Sequence, residues 1–206
     1  MGRYLGSVCK LCRRVNDKLF LKGERCDTKC TLDKRKKKTG GKPTRFVKKT
    51  SEYGKRLTEK QKARFSARMN EDQFRNLFKQ ARKMKGSPGQ NLLYLLETRL
   101  DNVVKKMGFA QSMIGARQMI SHGNVKVNNR NLKVPAYRVR IGDKIVINPK
   151  LKENIGLKRW RENYTRIPTW LTVDKENLSG EIISLPSRAD FSYPVDETLI
   201  VELYSR

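Results

Sequence analysis

A single histidine, His122, serves all 206 residues, and that scarcity limits the chemistry open to the chain. A nucleophile needs a base oriented by a carboxylate. One histidine in Ser121-His122-Gly123, at an expected helix end in basic surroundings, suits a phosphate contact or a helix C-cap better than a triad. Glu97 and Asp101 lie one helical turn apart but flank Arg99, where surface ion pairing is the ordinary reading. Neither G-x-x-x-x-G-K-[ST] nor G-x-G-x-x-G occurs, so no nucleotide cradle is visible. An enzyme is not expected, nor a small-molecule substrate. Long apolar runs are missing as well: there is no stretch of about 18 residues to span a membrane, and no Trp-rich basic amphipathic helix to lie on one. No apolar signal segment precedes the first cysteine, since Met1 to Val8 is short and polar. A reducing compartment, the cytoplasm, is therefore expected.

Acidic residues are scarce and unevenly placed. The chain has 47 Lys plus Arg against 20 Asp plus Glu, a formal net charge of +27. Such an excess implies a polyanionic partner, of which nucleic acid is the usual one. Residues 1–90 carry 28 basic and 8 acidic side chains, residues 91–166 carry 16 and 5, and residues 167–206 carry 3 and 7. The front and middle are expected to lie on phosphate, and the acidic end to face protein. The run Lys34, Arg35, Lys36, Lys37, Lys38, followed by Thr39-Gly40-Gly41-Lys42-Pro43, reads as a linker that orders on nucleic acid.

All four cysteines fall in the basic N-terminal segment. Cys9 and Cys12 form C-x2-C, thirteen residues intervene, and Cys26 and Cys30 form C-x3-C. Two close pairs at the ends of a short excursion are how tetrahedral thiolate sites are built. One zinc ion would supply folding energy to a segment whose apolar residues cannot support a core. Two disulfides, or four unrelated thiols, are the bland alternative, and an iron–sulfur cluster suits the same ligands.

The expected fold class is α+β: a metal-bound basic N-terminal arm, a helical module, and a small antiparallel sheet packed on helices. The arm and linker span 1–45, the helical module 46–90, a helix–turn–strand module 91–166, and acidic strands and tail 167–206. Thr58 with Gln61, and Asn70 with Gln73, are capping-box signatures. Phe74, Leu77, Phe78 and Ala81 recur at helical spacing and are expected in the core. One helix is predicted from Leu92 to Lys106, closing at Gly108. A shorter one runs from a Ser112 cap to His122, with Gly123 left-handed. Strands are predicted at Val125–Asn128, Tyr137–Ile141 and Ile145–Ile147, with Asn128 to Asn131 as turn. A charged helix near Leu151 to Tyr164 and strands near Trp170–Val173, Glu181–Leu185 and Leu199–Leu203 complete the reading.

Leu96-Glu97-Thr98-Arg99-Leu100-Asp101-Asn102-Val103-Val104, Gly108-Phe109-Ala110, Ala116-Arg117-Gln118, Ser121-His122-Gly123, Val127-Asn128 and Gly142-Asp143 resemble the RNA-binding module named after small-subunit ribosomal protein four. Met1-Gly2-Arg3-Tyr4, the cysteines with Leu21-Lys22-Gly23-Glu24-Arg25-Cys26, Glu59-Lys60-Gln61-Lys62, Gln73 to Phe78 and the closing Glu202-Leu203-Tyr204-Ser205-Arg206 extend the likeness to the bacterial-type family over essentially the whole chain. The resemblance implies a primary binder of the five-prime domain of small-subunit ribosomal RNA that acts early in assembly and sits where the messenger enters. It also implies a contact with small-subunit ribosomal protein five that bears on decoding accuracy. Bacterial and organelle ribosomes are not distinguished. The chain departs from the family pattern at Met113-Ile114-Gly115, at Asn129, and in its tight Cys26–Cys30 spacing.

RNA contacts are expected in the arm from Arg3, Arg13, Arg14, Lys22, Arg25, Lys34, Arg35, Lys36, Lys37, Lys38 and Arg45. The helical module is expected to add Lys55, Arg56, Lys62 and Arg75. Around the helix–turn–strand motif they come from Arg99, Lys105, Arg117, Gln118, His122, Lys126 and Asn128. A modifying enzyme that borrows the module would need a catalytic domain, and the stretch after Arg166 is too short for one. A zinc-dependent DNA regulator would show a recognition helix tied to the metal loop or a dimerisation heptad, and neither is present. A free-standing translational regulator would use the same surface.

Overall fold

In the computed structural model, which describes residues 4–38, 51–191 and 195–205, the chain opens with three short helices, α1 (Cys9–Val15), α2 (Glu24–Thr28) and α3 (Thr31–Lys38). Leu11, Cys12 and Val15 face inward from α1 and meet Val8, Leu19, Leu21 and Phe65 in a small apolar cluster. The basic run expected as a linker is, in its described part, the second half of α3. Asp33 in the first turn of that helix pairs with Lys18 at 3.0 Å and ties it to the preceding segment. The breakers that follow lie outside the described residues.

Helix α4 (Glu52–Ser66) starts ahead of the expected Thr58 cap. Ser51 caps it, its Oγ accepting from the Gly54 N–H at 3.1 Å, while Thr58 turns its hydroxyl onto the Gly54 carbonyl inside the helix. It closes through Arg68, whose φ of 54° lets the Met69 N–H reach the Arg64 carbonyl at 3.1 Å. A side chain in that left-handed position costs about 1–2 kcal/mol, which is why glycine usually occupies it. Helix α5 (Glu71–Lys83) carries the expected Asn70–Gln73 capping box and buries Phe74, Leu77, Phe78 and Ala81.

Two helices, α6 (Pro88–Glu97) and α7 (Leu100–Lys106), replace the single one expected. The break falls at Thr98 and Arg99, whose backbone leaves the helix to pair with the segment around Arg138. The Val139 N–H donates to the Thr98 carbonyl at 2.9 Å and the Leu100 N–H to the Tyr137 carbonyl at 2.8 Å. This bridge absorbs the alternating stretch Tyr137–Ile141, which is not a strand. Helix α8 (Met113–Ser121) has Ser112 as its cap, accepting from Gly115, and Gly108 and Gly123 close α7 and α8 with φ of 79° and 73°.

Strands β1 (Val125–Val127), β2 (Arg130–Asn131), β3 (Lys144–Ile147), β4 (Leu171–Asp174) and β5 (Ser179–Ile182) form an antiparallel sheet in the order β2-β1-β3-β5-β4. Helix α9 (Ile155–Asn163) precedes β4, and α10 (Glu197–Tyr204) ends the described chain. The turn between β1 and β2 is only Asn128-Asn129, both at positive φ, as a two-residue hairpin requires. The expected strand at Leu199–Leu203 is the body of α10. Its short apolar run fits either period, and the Asp196 cap, which accepts from Thr198, selects the helix.

Two compact units result: residues 1–92 with 193–206, and residues 93–192. The acidic stretch 167–206 is thus divided, β4 and β5 completing the sheet of the second unit while α10 packs on α4 in the first. In the first unit Tyr204 stacks on Phe78, ring centroids 4.5 Å apart, and Arg56 pairs with Glu202 at 2.6 Å. In the second, Val103, Met107, Ile120, Val125, Ile145, Ile147 and Trp170 share one core. Each such side chain contributes about 1.5–3 kcal/mol by burial. A methyl group at Gly180 on β5 would lie 2.9 Å from Met107 and from the Thr172 carbonyl. Gly180→Ala should destabilise the second unit by about 1–3 kcal/mol, read as a lower urea midpoint with an unchanged slope.

Candidate nucleic-acid interface

The second unit builds its polar surface on buried ion pairs. Asp101 is fully buried, yet it accepts from Arg99 through Nε at 3.1 Å and Nη2 at 2.9 Å, and from Arg117 Nε at 2.7 Å. Glu97, also fully buried, pairs with Lys106 at 2.8 Å and accepts from the Asn102 amide. Lys106 in turn donates to the Asp190 carbonyl at 2.7 Å and lies over the Trp170 ring. These carboxylates are internal girders, not the surface pair the sequence suggested. Arg99, expected on RNA, belongs to this framework: it is 8% exposed and its guanidinium meets both Asp101 oxygens edge-on.

Arg117, held by Asp101, keeps part of its side chain in solvent. Gln118 on α8, its C-cap His122, Lys126 on β1 and Asn128 in the turn that follows are exposed. Strand β1 alternates, with Val125 and Val127 in the core and Lys126 outward. Both ends of the Asn128 amide are engaged: its Nδ2 donates to the buried Asp143 carboxylate at 2.8 Å and its Oδ1 accepts from the Lys144 N–H at 2.9 Å, which ties the β1–β2 turn to the start of β3. The structure adds exposed cations that sequence reasoning missed, Arg130 on β2, Lys133, Arg138, Arg140 and Lys144. The stem of Lys133 lies beside Gly123 and so next to His122. The signal for Arg130 was available: two asparagines make a two-residue loop, which puts the next residue on a strand.

In the first unit several expected contacts serve the fold. Lys62 pairs with Asp17 at 3.2 Å and Glu59 at 2.8 Å, Arg56 with Glu202, and Lys55 with Glu52 at 2.7 Å; Arg13 donates to the Cys9 carbonyl. Arg14, Arg25, Lys34 and Arg75 are exposed, Lys22 half-buried, and Lys105 in the second unit half-buried on α7. Arg3 and Arg45 lie outside the described residues, and of residues 35–38 the backbone alone is described. Arg75 is joined on the outer face of α5 by Lys79 and Arg82, one turn apart, beside a cavity of about 410 Å³ that Tyr53 and Tyr204 also line. Burial pushes the Tyr204 phenol far above its ordinary pKa, and the Glu71 carboxylate that its hydroxyl bonds adds to the effect. Burial works against ionisation of Glu71 too, but Lys60 at 2.5 Å, with Arg64, holds it below the usual carboxylate range.

All four cysteines are free thiols. Burial raises Cys12 and Cys26 above the ordinary thiol pKa, and backbone N–H groups of Leu19 and Lys22 offset part of the rise. The Lys22 N–H donates to Cys26 Sγ at 3.3 Å. The charges of Cys26, Cys9 and Cys30 add to the rise at Cys12. Among the described residues, however, no three His, Cys, Asp or Glu side chains converge closely enough to hold a metal ion, and the metal-bound arm is not what the structure shows. In kind, though not in this spacing, the donors are a soft four-thiolate set that suits zinc. The described residues also include no helix long and apolar enough to cross a membrane.

Removing the central carboxylate strands two guanidiniums. Asp101→Ala should cost about 3–5 kcal/mol in chemical denaturation of the full chain.

The family model for the ribosomal protein S4/S9 N-terminal domain matches residues 3–97, and that for the S4 domain matches residues 98–145. The chain is 50% identical over 208 residues to small ribosomal subunit protein uS4 of Endomicrobium trichonymphae, with all of both chains covered. With the same complete coverage it is 46% identical to uS4 of Caldicellulosiruptor bescii and 44% identical to uS4 of Thermus thermophilus. A likeness this even, over both units and from end to end, means that the chain belongs to the uS4 family of small ribosomal subunit proteins, a structural and non-enzymatic family.

Proposed function

We propose that this chain is a structural constituent of the small ribosomal subunit, working in the cytoplasm as a primary binder of ribosomal RNA. The observation that carries the reading is the surface at α8 and β1, where Gln118, the cap His122 and Lys126 stand exposed and the stem of Lys133 lies beside Gly123, on a scaffold held by buried ion pairs. Cations on rigid elements release counterions from phosphate without losing much side-chain order of their own, and their fixed spacing reads RNA shape and not base sequence. The contacted RNA is the five-prime domain, and early binding there helps nucleate subunit assembly. Within residues 167–206, Asp174, Glu176 and Glu181 at the β4–β5 end of the sheet offer an acidic surface for ribosomal protein five near the path of the messenger, with decoding accuracy as the consequence.

Binding of the full chain to naked small-subunit ribosomal RNA, to unrelated folded RNA and to duplex DNA across a salt series tests this. A preference for the ribosomal RNA that survives moderate salt is expected, and Lys126→Ala should weaken binding modestly and lower the salt slope by about one. Equal, steeply salt-sensitive binding to all three would leave only unspecific charge.

Cys9, Cys12, Cys26 and Cys30 are proposed to hold one zinc ion, which would draw the two pairs together and clip the arm. The N–H to sulfur bond at Cys26 supports this, since such bonds favour the thiolate that a metal needs. Titration of the reduced chain with zinc should reach one equivalent and protect all four thiols from alkylation. Full alkylation in the presence of excess zinc would refute the site.

A further inference from the structure

The first unit contains a second, smaller cavity of about 240 Å³ between α1 and the end of α4. Arg14, Arg64 and Arg68 line it together with the rings of Tyr4 and Phe65, and none of its lining residues is acidic. Leu11 and Met69, both buried, make its floor. It is smaller than the roughly 300–1,000 Å³ that drug-sized ligands occupy, which suits a single flat ring system with one charged group. Three guanidiniums select an anion, and aromatic walls select a ring. A phosphate alone would leave those walls without a partner.

Arg68 gives the cavity its direction. It stands at the left-handed position that closes α4, φ 54°, where the closing bonds are made by main-chain groups: Arg68 N–H to the Phe65 carbonyl and Met69 N–H to the Arg64 carbonyl, each 3.1 Å. Glycine would make those bonds with less strain, so the helix end has no need of a long cationic side chain. That side chain instead reaches back, donating through Nη2 to the Tyr4 carbonyl at 3.2 Å and lying 5.6 Å above the Tyr4 ring. Arg64 repeats the arrangement one turn earlier, 4.7 Å from the Phe65 ring, its Nε fixed by Gln61 at 2.9 Å, with Glu71 3.4 Å away. Two guanidinium planes and two aromatic rings thus border one opening, and those are the surfaces on which unpaired bases stack. Backbone strain retained at such a place points from conformation to function.

We propose that this cavity takes one unpaired nucleotide of the bound RNA, its base between the Tyr4 and Phe65 walls and its phosphate on Arg14, Arg64 and Arg68. The proposal rests on the RNA-binding reading above and gives it a point contact with a single extruded base. A free nucleotide carries the same chemistry, so the test must separate the two sources.

Full-length, ¹⁵N-labelled protein is titrated with adenosine 5′-monophosphate, ribose 5-phosphate and inorganic phosphate, and then with small-subunit ribosomal RNA. The nucleotide should shift the amides of residues 64–70 and bind about tenfold more tightly than the two ligands that lack a base. Ribosomal RNA added afterwards should displace it. Arg68→Gly relieves the strain, so its melting temperature should hold or rise while its affinity for both nucleotide and ribosomal RNA falls about tenfold. Equal binding of all three small ligands overturns the proposal. So does an Arg68→Gly chain with unchanged affinities, which would make Arg68 a clip for Tyr4 and nothing more. Simultaneous binding of nucleotide and ribosomal RNA would assign the cavity to a free nucleotide and likewise refute it. Each of these outcomes is independent of whether the unsubstituted chain prefers ribosomal RNA in the salt series, so the two readings fail separately.

Discussion

One carboxylate without contact to water organises the second unit. Asp101 sits at the start of α7, where it accepts from the arginine just before that helix and from Arg117 on α8. Burying an ionised carboxylate costs several kcal/mol unless its partners are near and well aimed, and two guanidiniums meet that condition. Arg99 makes these bonds from extended backbone, at the break between α6 and α7 where it bridges Arg138. Through Arg117 the same carboxylate ties α8 to the start of α7. The Glu97–Lys106 pair does the same at the other end of α7, reaching through Lys106 to the Asp190 carbonyl.

Charge is therefore used in two ways, and composition alone does not separate them. Of the cations that make the chain so basic, Arg56, Lys60, Lys62, Arg99 and Lys106 are bound to carboxylates of the same unit. They stabilise the framework and contribute little to the field that RNA meets. Others among the described residues, such as Arg75 on α5, Lys126 on β1 and Arg130 on β2, face outward. A count of lysines and arginines thus predicts the kind of partner but overstates the number of contacts.

The readable part of the fold was what local chemistry decides. The Asn70–Gln73 box, the Phe74–Ala81 stripe, the Ser112 cap and the glycines after α7 and α8 each depend on residues a turn or less apart, and each stands as expected. The readings that shifted depended on distant partners. Nothing within Leu92–Lys106 marks a break, because the cause lies at residues 137–139. Likewise nothing in Leu199–Leu203 excludes a strand, because its helix is chosen by Asp196 and by packing on α4. For the candidate interface, residue type named the arginines of the motif, while which of them Asp101 holds out of solvent depended on burial that no pattern of charges displays. Arg130 was missed for a smaller reason, a turn read two residues too long.

The position of α10 carries a consequence for how the chain is made. Its helix covers Phe74 and Phe78 with Tyr204, joins Glu202 to Arg56, and places the Asp196 N–H on Glu59. The first unit is thus closed by residues synthesised after the whole of the second. On a translating ribosome the second unit, continuous in sequence, has everything it needs once Asp190 has followed β5 out, whereas the older helices wait with an aromatic face uncovered until the last turn arrives. The order of synthesis and the order of completion are reversed, and the segment first made is the last to be sealed.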